Sequence, residues 1–228
     1  MYLLKMFVSF TFHSSTMTTS IRIASESGNN LNELTDEEER LFTLISFDKV
    51  HKVVSLLPQL RDLEVRNIHS HTPLLHTAVN AQAEHLTFLI KLLLQCGSEV
   101  NAKDVKGKTP LMHVIRRGGS VDAIRTLMRY KLCEPDLGDK KGNTALMHAA
   151  KAGNAEAIAI LLFLPSARKH ADVNARNCNG LTALDVAVKH RQAVCCRMLV
   201  EEGKADVETV KDVKSLQALI HEGSRQGR

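Results

Sequence analysis

Several residue types are scarce in the 228-residue sequence, and each scarcity excludes a class of protein. Tryptophan is absent and all aromatic residues together make up 4% of the chain, which is fewer than a sheet-rich sandwich usually carries. With 12 glycines and 5 prolines the chain is neither collagenous nor proline-rich. No apolar run approaches the roughly 18 residues of a membrane-spanning helix, so we expect no membrane span. The remaining composition, 44% hydrophobic and 24% charged, is that of a globular protein rich in helix.

Cysteine is also scarce, with five residues at irregular spacing. A low, odd number argues against the disulfide framework of a small secreted protein and for a reducing compartment. We therefore expect a cytoplasmic location, with the nucleus as the alternative. The spaced signatures of metal sites, phosphate-binding loops and hydrolase nucleophiles are absent as well. The sequence thus predicts a protein that is not an enzyme and that uses no metal or cofactor.

Charge is distributed unevenly along the chain. In total there are 30 Lys and Arg against 25 Asp and Glu, a formal net charge of +5. Residues 109–181 contain 11 basic and 6 acidic side chains, so this middle segment accounts for the entire excess. The net charge is well below that of a non-specific nucleic-acid binder. The excess in residues 109–181 indicates a local basic surface instead.

The first residues resemble neither a folded segment nor a good targeting signal. Residues 1–12 are apolar apart from Lys5, and a Ser/Thr-rich stretch follows. A secretory signal requires an uninterrupted apolar core and a small-residue cleavage site, and Lys5 interrupts that core. We therefore expect a poorly ordered tail, with a targeting peptide as the alternative.

Four related segments recur along the chain. TPLLH at residues 72–76 returns as TPLMH at 109–113, TALMH at 144–148 and TALDV at 182–186, with threonines 37, 35 and 38 residues apart. An Asp or Asn precedes each threonine by five residues, and a Gly precedes three of them by two. These residues are Asn67, Asp104, Asp139 and Asn177, and Gly107, Gly142 and Gly180. Because a second apolar stretch follows each segment, the chain is built from repeated units.

The repeated units resemble the ankyrin repeat. They share its pattern D-x-x-G-x-T-P-L, which is continued by A-A-x-x-G, a leucine pair and A-D-V-N-A. The match is strongest at residues 139–176 and covers roughly residues 35–210. It implies an all-α solenoid of about five stacked helix–turn–helix units with β-like turn tips. The units are expected near residues 35–66, 67–103, 104–138, 139–176 and 177–210, between an N-terminal tail (1–34) and a closing helix with a C-terminal tail (211–228).

The residue chemistry agrees with stacked helix pairs. Thr72 and Thr109 are favourable N-caps, and the proline after each suits the first helical position. The next residue in each unit should point into the core: Leu74, Leu111, Leu146 and Leu184. Some units exceed the usual ~33-residue period. We expect the extra residues between the helices at 81–85 and after the second helix at 163–170.

Histidine recurs at one position in three units, as His76, His113 and His148. Equivalent residues of stacked helices lie about 8–10 Å apart, too far to share an ion whose ligands lie within ~2.1 Å. We therefore interpret this ladder as packing, with hydrogen bonds between repeats. Cys195 and Cys196 occupy core positions of a second helix and are interpreted as small core hydrophobes.

The resemblance also implies where a partner binds. In ankyrin arrays the turn tips and the outer ends of the first helices form a concave groove that commonly binds proteins. Those positions contain eight basic residues here and no acidic ones: Lys106, Lys108, Arg116, Arg117, Lys140, Lys141, Lys151 and Lys189. The alternative interpretation is a solvated face whose charge only maintains solubility.

Two modification sites are suggested by resemblance. Asn101 is similar to the ankyrin asparagines that an iron- and oxoglutarate-dependent oxygenase hydroxylates, with an acid two residues before it and Leu93 eight before it. A purely structural role is the alternative. Ser120 follows two arginines and two glycines and weakly resembles a basophilic kinase site.

The sequence thus favours a non-enzymatic protein–protein interaction module or scaffold that binds an acidic partner segment in the groove. Two alternatives would use the same basic face: association with nucleic acid, and an adaptor role in a ubiquitin-ligase complex. The basic face lacks the aromatic residues that stack on bases, which weakens the first alternative. No additional domain is visible after residue 210, which weakens the second. The partner and the oligomeric state are not specified by the sequence.

Overall fold

A computed structural model describes residues 34–225, except residues 61 and 209, with side chains described as far as residue 220. The predicted N-terminal tail therefore lies outside the described residues, apart from Leu34. The described part of the chain forms eleven α-helices and no β-strand. They are α1 Asp36–Ser46, α2 Val50–Leu56, α3 Pro73–Asn80, α4 Ala83–Gln95, α5 Pro110–Arg116, α6 Val121–Arg129, α7 Ala145–Ala152, α8 Ala155–Phe163, α9 Ala183–Lys189, α10 Ala193–Glu201 and α11 Val213–Arg225. A 3₁₀ turn, Leu57–Gln59, follows α2.

Helices α3, α5, α7 and α9 each begin at a threonine N-cap. The Thr109 hydroxyl accepts the backbone N–H of Met112 at 3.4 Å, and Pro110 occupies the first helical position. The other three threonines cap in the same way. Each cap satisfies one of the N–H groups that a helix start leaves without a partner. The predicted N-caps at Thr72 and Thr109 are confirmed.

The helices stack in two rows. The inner row is α1, α3, α5, α7 and α9, and the outer row includes α4, α6, α8 and α10. Each inner helix packs on its outer partner and on the inner helices of adjacent units, and α11 packs on α9 and α10. Contacts between neighbours alone define a solenoid. The predicted all-α solenoid is confirmed, and we propose the predicted unit boundaries because each of the five ranges contains one helix pair.

One continuous apolar core runs between the two rows. The four leucines predicted to point inward are buried. Cys195 and Cys196 are buried in the same core. Burial raises the pKa of both thiols to about 11, so they stay protonated at neutral pH. The interpretation of these cysteines as core hydrophobes is confirmed.

The first predicted insertion does not lie where the sequence suggested. Only Ala81 and Gln82 connect α3 to α4. Helix α4 has 13 residues, whereas α6, α8 and α10 have 9 each, so the extra residues lengthen the outer helix by about one turn. The segment Ala83–Gln95 contains neither Gly nor Pro, so nothing in it ends the helix early.

The second predicted insertion, residues 163–170, packs against the preceding unit. The Arg129 guanidinium donates to the Ser166 hydroxyl at 2.8 Å. The Lys169 ammonium lies 2.6 Å from a Glu134 carboxylate oxygen and 3.6 Å from one of Asp136. These contacts attach the segment to the preceding unit.

Truncation of a core leucine tests the nearest-neighbour organisation. We expect Leu146→Ala to lower the free energy of unfolding by roughly 2–5 kcal/mol, because the fully buried side chain leaves a cavity. Hydrogen exchange should show the greatest loss of protection in the units adjacent to α7. An equal loss from α1 to α11 would instead indicate one undivided core.

Candidate functional site

Each turn tip is held by one side chain at its start. The Asp104 carboxylate accepts the backbone N–H groups of Lys106 and Lys108, both at 2.8 Å, through Oδ1. Its Oδ2 accepts from His113 Nε2 at 2.9 Å. Burial raises the pKa of Asp104, but these donors outweigh it and lower the pKa below its ordinary value. The carboxylate is thus ionised and fully engaged beneath the tip.

The next unit repeats this arrangement. Asp139 Oδ1 accepts from the N–H groups of Lys141 (2.8 Å) and Asn143 (3.0 Å), and Oδ2 accepts from His148 Nε2 at 3.0 Å. In the flanking units Asn67 and Asn177 bind the turn N–H groups through their amide oxygens. The sequence signal for this aspartate–histidine pair is its spacing: the acid precedes the threonine by five residues, and the histidine follows the threonine by four.

The histidine ladder therefore differs from its prediction. His113 and His148 form hydrogen bonds with the aspartate of their own turn. The prediction of hydrogen bonds between repeats is therefore wrong for these two residues. His76 bonds both ways: its Nδ1 lies 3.2 Å from Asn67 Nδ2, and its Nε2 lies 2.7 Å from the Ser46 hydroxyl of the preceding unit. Among the described residues, no three His, Cys, Asp or Glu side chains are grouped so that they could hold a metal ion.

Adjacent tips are joined through their backbones. Lys140 N–H donates to Lys106 O at 3.0 Å, and Cys178 N–H donates to Lys141 O at 3.0 Å. A Cβ at Gly107 would lie 2.8 Å from Lys140 N, and its φ of +75° favours glycine. Glycine is therefore required at this position by both the turn and the next tip.

Tips and inner-helix ends meet around a depression of about 740 Å³. Six of the eight predicted basic residues line it, and we call this group the cationic depression: Lys106, Lys108, Arg116, Lys140, Lys141 and Lys151. Asp139, Asn143, His148 and Ala152 complete the lining. Asp139 and His148 were not predicted as groove residues, although the recurring repeat pattern contains both.

The cations of this depression are not held in ion pairs within the described part of the chain. Burial and the nearby Arg116 lower the pKa of the half-buried Lys108, with opposing contributions from Asp104 and Asp139. The arrangement is a dense positive surface, and a bound anion would reduce the repulsion among its cations.

The other two predicted basic residues lie elsewhere. Lys189 lines a separate depression between α9 and α11. Arg117 donates from its guanidinium to Ala78 O at 3.0 Å and Ala81 O at 2.9 Å, at the C-terminal end of α3. It therefore satisfies free helix carbonyls of the neighbouring unit and favourably opposes their partial negative charge.

The two predicted modification sites have structural contacts. Asn101 Nδ2 donates to Leu132 O at 2.7 Å, and its Oδ1 accepts from Glu134 N at 3.0 Å, so its amide links two units. The Ser120 hydroxyl caps α6 by accepting from Asp122 N at 3.2 Å. Both modifications stay predictions.

Comparison with known protein families agrees with this architecture. The family model described as "Ankyrin repeats (3 copies)" matches residues 75–177 and 120–211, more than half of the chain. The chain belongs to the ankyrin repeat family. Ankyrin repeats are protein–protein interaction modules. None of the helices in the described ranges combines the length and apolarity needed to cross a bilayer.

Curated relatives share the repeats over part of their length. The chain is 30% identical over 129 residues to human SH3 and multiple ankyrin repeat domains protein 2, which covers 57% of this chain and 6% of that protein. It is 32% identical over 115 residues to a putative ankyrin repeat-containing protein of Treponema pallidum (50% and 37%). Human ankyrin repeat domain-containing protein 63 is 30% identical over 112 residues (48% and 28%). The chain thus spans well under half the length of these relatives.

The buried histidines predict a loss of stability in mild acid. Burial lowers the pKa of His113 to about 4, and the charges of Arg116 and His71 add to this, despite the opposing Asp104. An unfolded histidine titrates near 6.5, so only the unfolded state takes up protons as the pH falls from 6.5 towards 4. The free energy of unfolding should therefore fall in this window.

Urea unfolding at pH 7.5 and pH 5 measures the effect. We expect His113→Gln to reduce the loss between these pH values by roughly 1–2 kcal/mol, because the neutral amide cannot be protonated. The exposed His51→Gln is the control and should leave the loss unchanged. An identical pH dependence in all three proteins would contradict the assignment.

A second prediction separates the structural arginine from its neighbour. Arg117→Met should lower the free energy of unfolding by about 1–3 kcal/mol, because two charged donors to helix carbonyls are lost. Arg116→Met removes an exposed side chain and should change it by no more than about 0.5 kcal/mol. Thermal and urea denaturation of both variants decide this; equal effects would contradict the distinction.

Proposed function

We propose that this ankyrin array binds an acidic segment of a partner protein in its cationic depression. The single observation that carries the proposal is the convergence of six cations, none of them ion-paired within the described part of the chain, around one depression of about 740 Å³. Elsewhere, basic side chains such as Arg66, Lys103 and Lys169 bond to carbonyls or carboxylates.

The depression is a surface that needs little ordering before it binds. Its tips are held by Asp104 and Asp139 and joined to each other by backbone hydrogen bonds. A rigid surface loses little conformational entropy on association, so moderate contacts are sufficient for binding. The helices α5 and α7 fix the other side of the depression through their buried core leucines.

The positive charge gives selectivity and a fast encounter. Acidic segments are attracted and basic ones repelled, which affects the association rate and the choice of partner more than the final affinity. A protein partner is favoured over nucleic acid because His148 is the only aromatic ring lining the depression, and it is buried against Asp139.

Charge reversal at three exposed tip lysines tests the proposal. The variant is Lys106→Glu/Lys140→Glu/Lys141→Glu. It changes only exposed side chains, so the fold should be retained. The probe is a fluorescein-labelled peptide with eight Glu in a Gly-Ser background, and binding is followed by anisotropy. We expect at least about a tenfold loss of affinity in the variant. Wild-type binding should also weaken with salt, as the Debye length falls from about 10 Å at 0.1 M to about 3 Å at 1 M.

The matched control is Lys52→Glu/Lys91→Glu/Lys131→Glu, which makes the same change in net charge at exposed lysines of α2, α4 and the turn after α6. It should bind the probe like the wild type. Equal loss in both variants would show that only net charge matters. A 20-nucleotide single-stranded DNA that binds more tightly than the peptide would favour the nucleic-acid alternative.

A further inference from the structure

The groove is not uniform along its length. Its tip and inner-helix positions in the units near 104–138 and 139–176 carry the six cations of the cationic depression. The corresponding positions of the unit near 67–103 carry no Lys or Arg: they are Ile68, His69, His71, Val79 and Asn80. The groove therefore changes character from one unit to the next.

Exposed apolar side chains lie in the units before the cationic depression and at its first tip. Ile68 at one tip is 93% exposed and Val105 at the next tip is 54% exposed, while Phe47, directly after the inner helix α1, is 70% exposed. We call these three residues the apolar rim. At the equivalent tip positions of the following units lie Lys140 and Cys178.

Other large exposed apolar residues of the described ranges lie outside the groove. Phe88, Phe163 and Val194 belong to the outer helices α4, α8 and α10, and the rest follow outer helices or begin α11. Along the repeat order the exposed apolar tips thus precede the cationic tips and overlap with them, since Val105 shares its tip with Lys106. Exposed aliphatic and aromatic side chains have an unfavourable hydration free energy, which burial against a partner would remove.

The tip of the unit near 67–103 also contains two histidine rings. The His71 ring is 6.4 Å from the His76 ring and 6.0 Å from the His113 ring, centroid to centroid, so it lies between α3 and α5. The His69 ring is 6.0 Å from that of His71. Burial lowers the pKa of His71, helped by His69 and opposed by Asp104, so this ring is neutral at pH 7. The His71 ring therefore adds no positive charge at this tip.

We propose that the groove recognises a bipartite linear segment, in which one large apolar side chain occupies the apolar rim and an acidic run occupies the cationic depression. This rests on the proposed function, since it assigns the composition of the same acidic partner. Charge complementarity selects the acidic run, and the exposed tips at Ile68 and Val105 select the apolar anchor. The occupant is thus a peptide segment with both features in a fixed order.

The repeat spacing sets the distance between the two features. Stacked helices lie about 8–10 Å apart, and an extended chain covers about 3.3–3.6 Å per residue. The centre of the two apolar tips lies about one repeat from the centre of the depression, and Ile68 lies two repeats from Lys140. The anchor should therefore fall roughly three to six residues from the centre of the acidic run, always on the same side of it.

A set of 20-residue fluorescein-labelled peptides tests this with the whole chain. Each contains five consecutive Glu in a Gly-Ser background. The four peptides differ in the position of a single Phe. The first has no Phe. In the second and third, Phe lies five residues from the centre of the run on its N-terminal or its C-terminal side, and in the fourth it lies eleven residues away. We expect one of the two near placements to bind at least about fivefold more tightly than the peptide without Phe. The distant Phe should give no gain.

Variants then localise the gain. Ile68→Ser/Val105→Ser should abolish the gain from Phe and leave binding of the peptide without Phe unchanged. Phe88→Ser/Val194→Ser removes comparable exposed apolar side chains from the outer helices and should retain the gain. Lys140→Glu/Lys141→Glu should weaken every peptide. All substituted side chains are exposed, so the variants should fold like the wild type.

The possible outcomes separate this inference from the proposed function. If Phe adds nothing at either near position, or if its gain survives Ile68→Ser/Val105→Ser, the bipartite segment is refuted while acidic binding stands. If no peptide binds, both are refuted. If the wild-type chain sediments as a dimer and Ile68→Ser/Val105→Ser sediments as a monomer, the apolar rim contacts a second copy and the inference is wrong.

Discussion

The buried oxygen-bearing side chain at the start of each turn is the interaction on which the groove depends. Asp104 and Asp139 each bind two tip N–H groups and one inner-helix imidazole, so one carboxylate fixes both a tip and the helix behind it. Without these acceptors the tip N–H groups would be left without partners where the chain turns sharply. The same two carboxylates lie beneath the cationic depression and moderate the mutual repulsion of its lysines. Tip geometry and surface charge therefore have a common origin.

The architecture was predicted from recurring motifs together with their resemblance to the ankyrin repeat. Threonine before the inner helices caps them, leucine two residues later enters the core, and glycine before the threonine takes the turn conformation. These properties belong to single residues and recur in register, so the repeated units, the N-caps, the inward leucines and the core cysteines could be predicted from the residues themselves. The solenoid and the groove positions were implied by the resemblance, and six of the eight basic residues at those positions line one depression.

Features set by orientation between units could not be predicted in this way. Arg117 has the sequence position of a groove residue, yet its guanidinium turns to the carbonyls that end α3, since those acceptors are free only in the stacked structure. All three histidines were expected to bridge repeats, and His76 does so through Ser46, but His113 and His148 bond instead to the aspartate nine residues earlier in the same unit. Likewise, the one-turn extension of α4 depends on where a helix stops, and a sequence without a breaking residue does not mark that point.

A groove that was only cationic would discriminate poorly among acidic segments, because long-range attraction is screened by salt and insensitive to order along the chain. Short-range apolar contacts have the opposite character, since they require close fit and depend little on salt. In this molecule the two kinds of surface overlap along one array. The apolar tips belong to the units near 67–103 and 104–138 and the cationic ones to the units near 104–138 and 139–176, with Val105 and Lys106 adjacent at the same tip. Because the stacking distance is fixed by the core, the separation of the two contacts is fixed as well. In the bipartite recognition that we propose, specificity arises from spacing and direction, which neither surface provides alone.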